Sequence, residues 1–283
     1  MYGSSVTVQH RQLERRSTTA ARSSRPSGRR ARATVRGAGE VLITLGMVVL
    51  LFVFYLLYFS DWIAAGKQRE ATAKLDEQWR NPRGTLDLPL RGDGIAKLSV
   101  PVFGPDFVWT VLQGTDQDTL AVGPGHYPDT AMPGEPGNFS VGGHRVGKGS
   151  PFNNLDLLGS CDALVVETVD TWFVYRVLPM EDEVAGWAQG KGTDPRYRDV
   201  APLPGAYSEV VGQEIVLPSQ REVIAPVPGR PQVVLPPGRQ RALITLTTCH
   251  PEFSARQRLI IHGVLTAQHP KTAGAPPAQL RTG

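Results

Sequence analysis

Cysteine is scarce in this chain, with two among 283 residues, Cys161 and Cys249. That scarcity excludes a disulfide-built scaffold, and no Cys/His spacing of the zinc type occurs. Also missing are a phosphate-cradling glycine loop, an internal repeat, and an acidic cluster that would make calcium a default ligand. No cofactor and no metal are therefore expected. Charge is absent from residues 41–59, VLITLGMVVLLFVFYLLYF. No small-residue cleavage site of the A-x-A kind directly follows that run, which argues against a removable signal peptide.

Nineteen uncharged residues at about 1.5 Å per helical residue cover roughly 28 Å, close to the hydrocarbon thickness of a bilayer. Arg29, Arg30, Arg32 and Arg36 precede the run, Asp61 and Trp62 follow it, and Tyr55, Tyr58 and Trp62 suit the outer interface. The positive-inside rule then predicts a single-pass protein of the cell membrane. Its N-terminus is cytoplasmic and everything after about residue 60 is extracellular.

Residues 1–36 hold nine Arg and one Glu, a local balance of +8; the whole-chain +4 less that +8 leaves −4 for residues 37–283. The basic character belongs to the tail, so a nucleic-acid-binding body is not expected. Five segments are predicted: a disordered basic cytoplasmic tail over 1–36, a transmembrane helix over 37–60, an extracellular helical stalk or linker over 61–94, a folded domain over 95–266, and a disordered tail over 267–283. The stalk carries Leu75 and Trp79 at i, i+4.

From residue 95 onward short β-favouring runs alternate with turn residues. Strands are predicted at 96–103, 107–112, 138–143, 163–169, 172–177, 214–217, 222–225, 242–248 and 258–266, with helical turns at 116–120 and 151–158. Many short strands and few helices give a mainly β class, a closed or nearly closed barrel with short helices. Residues 184–240 hold nine Pro and seven Gly among 57 residues, and they read as a long surface loop region.

The chemistry concentrates near the C-terminal end. Residues 242–248 climb through β-branched and apolar side chains to Cys249; a polar turn follows, and a second run opens at Arg258. A strand delivering a thiol beside a returning strand's guanidinium suits a cysteine nucleophile and its oxyanion. The alternative is that Cys249 pairs with Cys161 or is inert. Arg256 shares the parity of Arg258 and competes with it. A thiol also needs a base. His10 lies in the tail before the apolar run, and His269 lies in the C-terminal tail. His250 neighbours Cys249 but precedes Pro251, so it is extended and its side chain faces away from that of Cys249. His262 suits a core or rim position. His126 and His144 remain, and His144, at a strand end before a polar loop, has the usual mounting of a catalytic base.

These residues resemble the sortases, most closely those of class E from high-GC Gram-positive bacteria. Thr245-Leu246-Thr247-Thr248-Cys249 is similar to the family's TLxTC strand, and Arg258 follows nine residues later. Residues 123–145, GPGHYPDTAMPGEPGNFSVGGHR, resemble the segment ending in the family's histidine, and Pro151-Phe152-Asn153-Asn154-Leu155 also fits. The resemblance covers about residues 95–266. It implies a sortase-type closed β-barrel and a cysteine transpeptidase that cleaves a C-terminal LAxTG-like sorting signal between Thr and Gly. Catalytic roles go to Cys249, His144 and Arg258. Tyr127, Thr247 and Thr248 are implied to contact the signal. The implied partners are signal-bearing surface proteins, an amine of a lipid II-like cell-wall precursor or pilin-like subunit, and the membrane. The competing functions are an exported cysteine peptidase acting by hydrolysis and a non-catalytic membrane-anchored scaffold.

Overall fold

A computed structural model describes residues 27–55, 60–81, 89–271 and 276–280. The chain divides into two units, one up to Leu51 and one from Phe52 onward. The first contains most of helix α1, Ser27–Phe54. Residues 32–54 of this helix are long and apolar enough to cross a membrane. Every side chain from Val41 to Phe54 is exposed. Helix α1 starts at Ser27 and so takes in the end of the basic tail ahead of the expected span. The rest of that tail and Tyr58 lie outside the described residues.

Helix α2, Ser60–Arg80, lies in the expected stalk or linker segment and packs against the strands that follow. Ala64, Gln68 and Leu75 are buried, and Asp76 pairs with Lys97 at 2.5 Å. Gln68 accepts from the Thr110 N–H at 2.8 Å and donates to the Thr110 and Val122 carbonyls at 3.2 Å each. A helix with so weak an apolar stripe docks because its one buried amide replaces a strand partner for Thr110.

Nine strands follow: β1 Gly94–Ser99, β2 Val108–Gln113, β3 Gly125–His126, β4 Gly137–Gly142, β5 Ala163–Glu167, β6 Thr171–Val177, β7 Gln213–Val216, β8 Ala242–His250 and β9 Gln257–Pro270. Their order is β6-β5-β1-β2-β3-β4-β8-β9, closed by β9 pairing back to β6. The long β9 makes closure possible: residues 258–261 pair with β7, and residues 263–270 pair with β6. The barrel has eight strands, with β7 alongside the first half of β9. The chain is mainly β, as the alternating pattern predicts. Strand β9 runs to Pro270, four residues past the expected domain end at 266.

The barrel interior takes Phe139 and Val141 from β4, Ile244 and Leu246 from β8, and Leu259 and Ile261 from β9. Each contributes about 1.5–3 kcal/mol on burial. Period-2 alternation therefore sends Asn138, Ser140 and Gly142, then Thr245, Thr247 and Cys249, then Arg258, Ile260 and His262 to the outer face.

The Pro/Gly-rich region is packed and not a plain surface loop. Val200, Leu203, Tyr207, Val210 and Val227 form a second core with Cys161, Leu178 and Leu243. The expected strand at 222–225 is a 3-10 turn, Arg221–Ile224. Its Val223 is buried against Val216 and Ile260.

Candidate active site

Strands β4 and β8 run parallel, with Gly142 beside Thr247. The ladder ends there, and His144 and Cys249 each lie two residues beyond this last pair on their own chains. Across the other edge of β8, Cys249 is the direct antiparallel partner of Arg258. Directly paired residues of neighbouring strands project to one face, so Cys249 and Arg258 share the barrel's outer surface, with His144 two residues past the paired end of β4. Sequence spacing alone leaves this juxtaposition invisible, because the two parallel neighbours lie about a hundred residues apart.

Cys249 is a free thiol, half-buried. Cys161 is also free and is buried 35 residues upstream of Arg196, whose carbonyl accepts from its Sγ at 3.1 Å. Burial pushes the Cys161 thiol above its ordinary 9.0. The two cysteines are not bonded to each other, and Cys161 belongs to the second core.

His144 extends two residues past the end of β4. Its carbonyl accepts from Phe152 N–H at 3.0 Å. The Phe152 ring occupies the space beside Gly143, where a Cβ would come within 2.5 Å of it. The 151–155 segment thus braces the backbone under His144 from the core. Among the described residues, His144 Nε2 is buried and makes no hydrogen bond. Burial first, and the Lys148 ammonium second, hold this imidazole below its ordinary 6.5. Both effects favour the neutral imidazole, the form that can accept a proton.

Arg258 is half-buried and Arg256 is exposed, one residue before β9 begins. The guanidinium of Arg258 is anchored through Nη1, which donates to Ala255 O at 3.1 Å and Gln257 O at 3.0 Å. Its Nε and Nη2 make no hydrogen bond among the described residues and remain available as donors. An always-charged fork held in this way is suited to a developing oxyanion.

Tyr127 follows β3, and its hydroxyl shares a 3.0 Å hydrogen bond with Thr247 Oγ1. Both sit on the outer face below Cys249. Thr248 departs from the expectation. It is 2% exposed, faces the barrel interior, and its hydroxyl donates to Gly143 O at 2.9 Å. It pins β8 to the end of β4 and has no surface to offer a bound peptide.

Three other histidines are engaged elsewhere. His126 is buried, with Gln113 Oε1 at 2.8 Å on one ring nitrogen and Ala131 O at 3.1 Å on the other. His262 bridges Thr245 and Glu214. His250 projects to the face opposite Cys249 and meets Arg145, a contact sequence reasoning missed. The only signal for it is that each partner directly follows a candidate catalytic residue. His10 lies outside the described residues.

Residues 98–266 match the protein family described as Sortase domain. Among curated proteins of Streptomyces coelicolor, the chain is 32% identical to Sortase SrtE1 over 250 residues, covering 86% of this chain and 60% of that protein. It is 30% identical to Sortase SrtE2 over 282 residues, covering 93% of this chain and 94% of that protein. The chain thus spans less than two thirds of the first relative's length and nearly all of the second's. A solved SrtF sortase from Corynebacterium diphtheriae superposes with a TM-score of 0.60 at 40% identity, covering 72% of this chain and 98% of that one.

Proposed function

The chain belongs to the sortase family of cell-wall transpeptidases, and on that premise we propose that it is a membrane-anchored cysteine transpeptidase acting on C-terminal sorting signals of the LAxTG kind. The observation that carries this reading is the register: Cys249 stands directly opposite Arg258, close to the end of the β4–β8 ladder that His144 follows by two residues.

The steps follow from these groups. The neutral His144 imidazole accepts the Cys249 thiol proton, and the thiolate attacks the carbonyl carbon of the signal's Thr. The carbonyl oxygen becomes negative, and the free donors of Arg258 stabilise it. As the C–N bond breaks, His144 passes its proton to the departing Gly amine, leaving a thioester on Cys249. An incoming amine then attacks the thioester and gives a proton to His144. Collapse expels the Cys249 sulfur, which is reprotonated by His144, and the protein ends in a new amide bond. The Tyr127 and Thr247 hydroxyls lie on the same face and contact the bound signal. Helix α1, whose apolar side chains are exposed, holds the domain on the outer side of the membrane, where signal-bearing surface proteins and the precursor's amine meet it.

The experiment is an incubation of the full chain with a fluorescent LAxTG peptide and a primary amine, with products separated by mass. Wild type is expected to yield the amide of the added amine, and Cys249→Ala none. A hydrolysed peptide alone would instead establish a peptidase, and turnover by Cys249→Ala would remove the nucleophile assignment.

A further inference from the structure

The residues that directly follow the proposed base and nucleophile touch each other. Arg145 follows His144 in the loop after β4, and His250 follows Cys249 at the end of β8, where strand alternation sends it to the face opposite Cys249. There Arg145 Nη1 donates to His250 Nδ1 at 3.1 Å. A guanidinium has no acceptor, so Nδ1 must be the acceptor and the ring carries its proton on Nε2.

Arg145 is 6% exposed, and its Nη2 is ion-paired with Asp156 Oδ2 at 3.0 Å. Asn153 Nδ2 donates to Arg145 O at 3.0 Å and to Glu252 Oε1 at 3.3 Å, giving a second bridge between the same two loops. These bridges lie where the backbone ladder stops. Among the described residues, the last backbone bond between the ends of β4 and β8 runs from Gly143 N–H to Thr247 O, at 3.0 Å. The Thr248 hydroxyl adds one side-chain bond to Gly143 O. At the level of His144 and Cys249, side chains alone join the two strands.

We propose that Asp156, Arg145 and His250 form a positioning clasp that sets the distance between His144 and Cys249. The clasp rests on the reading of those two residues as base and nucleophile. It touches no reacting atom and acts through the backbone of its neighbours. Misplacing a reacting pair by about 1 Å costs on the order of a hundredfold in rate.

The test compares wild type, Cys249→Ala, His250→Ala, His250→Asn and Asp156→Asn in the full chain, with thermal unfolding recorded for each. His250→Ala is expected to lower kcat by roughly ten- to a hundredfold, with KM within about twofold. His250→Asn places an amide oxygen near the Nδ1 position and is expected to recover kcat to within about threefold of wild type. A kcat for His250→Ala equal to wild type, or no recovery in His250→Asn, overturns the clasp. If His250→Ala does not fold, Asp156→Asn, which changes an exposed carboxylate, must lower kcat by itself, and an unchanged kcat overturns the proposal.

A second measurement needs no sorting signal. The rate of Cys249 alkylation by iodoacetamide should fall in His144→Ala and fall comparably in His250→Ala. An undiminished rate in His250→Ala rejects the clasp even if wild type transfers no peptide, a result that would count only against the transpeptidase reading.

Discussion

Arg258 stands directly opposite Cys249 across the β8–β9 ladder, while Arg256 falls outside the strand. The two arginines are indistinguishable by parity, and the register separates them. Removing a fixed oxyanion donor costs about a hundred- to a thousandfold in kcat. Arg258→Ala is expected to fall in that range. Arg258→Lys should recover little, because a point charge does not reproduce the anchored fork. Arg256→Ala should stay within about twofold. Steady-state transpeptidation of the three variants checks the assignment, and a larger loss in Arg256→Ala would reverse it.

His144 should titrate below its ordinary 6.5, because burial disfavours the imidazolium and the Lys148 ammonium adds to the effect. The folded protein then binds this proton less readily than the unfolded chain. The stability that a neutral His144 contributes is present above 6.5 and is lost as pH falls below it. Lys148 is exposed, so its share is screened by salt. NMR titration of the His144 ring in Cys249→Ala should give a midpoint below 6.5, moved upward by Lys148→Gln at low ionic strength. A midpoint above 6.5 in the parent would contradict the buried placement.

The two thiols should differ sharply in reactivity. Cys249 is half-exposed beside a candidate base, whereas Cys161 is 6% exposed, packed in the second core, and raised in pKa by burial. Native protein treated with iodoacetamide near neutral pH should gain one adduct by intact mass, and Cys249→Ala none. Two adducts would mean that the second core opens. No adduct on wild type would favour the scaffold alternative.

Much of this architecture is legible in sequence, and the exceptions share a cause. Strands β4, β8 and β9 announce themselves through β-branched alternation, and the Cys249, His144 and Arg258 candidates follow from their places at strand ends. The segment 222–225 has the same apolar content, yet its Val223 and Ala225 carbonyls accept from the Asn138 side-chain amide. Apolar residues there signal burial against Val216 and Ile260, and not a ladder. Thr248 differs from Thr247 only by parity, which alone decides that its hydroxyl pins Gly143. The long Pro/Gly-rich region hides a core because Tyr207, Val210 and Val227 lack any period. In each case the deciding partner is distant in the chain.

Helix α2 makes the same point, and it can be tested. Composition predicts a helical stalk or linker here, and in the structure Gln68 inserts its amide against both backbone groups of Thr110. Thr110 lies on β2, and its own hydroxyl is within 2.7 Å of Thr72 of the same helix. Gln68→Ala would leave a buried N–H and two carbonyls short of a partner, at a cost of about 1–3 kcal/mol. Gln68→Glu keeps the acceptor for Thr110 N–H. It also turns a carboxylate oxygen toward the Thr110 and Val122 carbonyls, and should be more damaging at neutral pH than at acid pH. Urea unfolding of the full chain in detergent micelles measures both. If α2 were an undocked stalk, neither substitution would move the midpoint. A shift in both, with Gln68→Glu partly recovering at acid pH, would establish that the helix following the apolar span is structurally part of the catalytic domain.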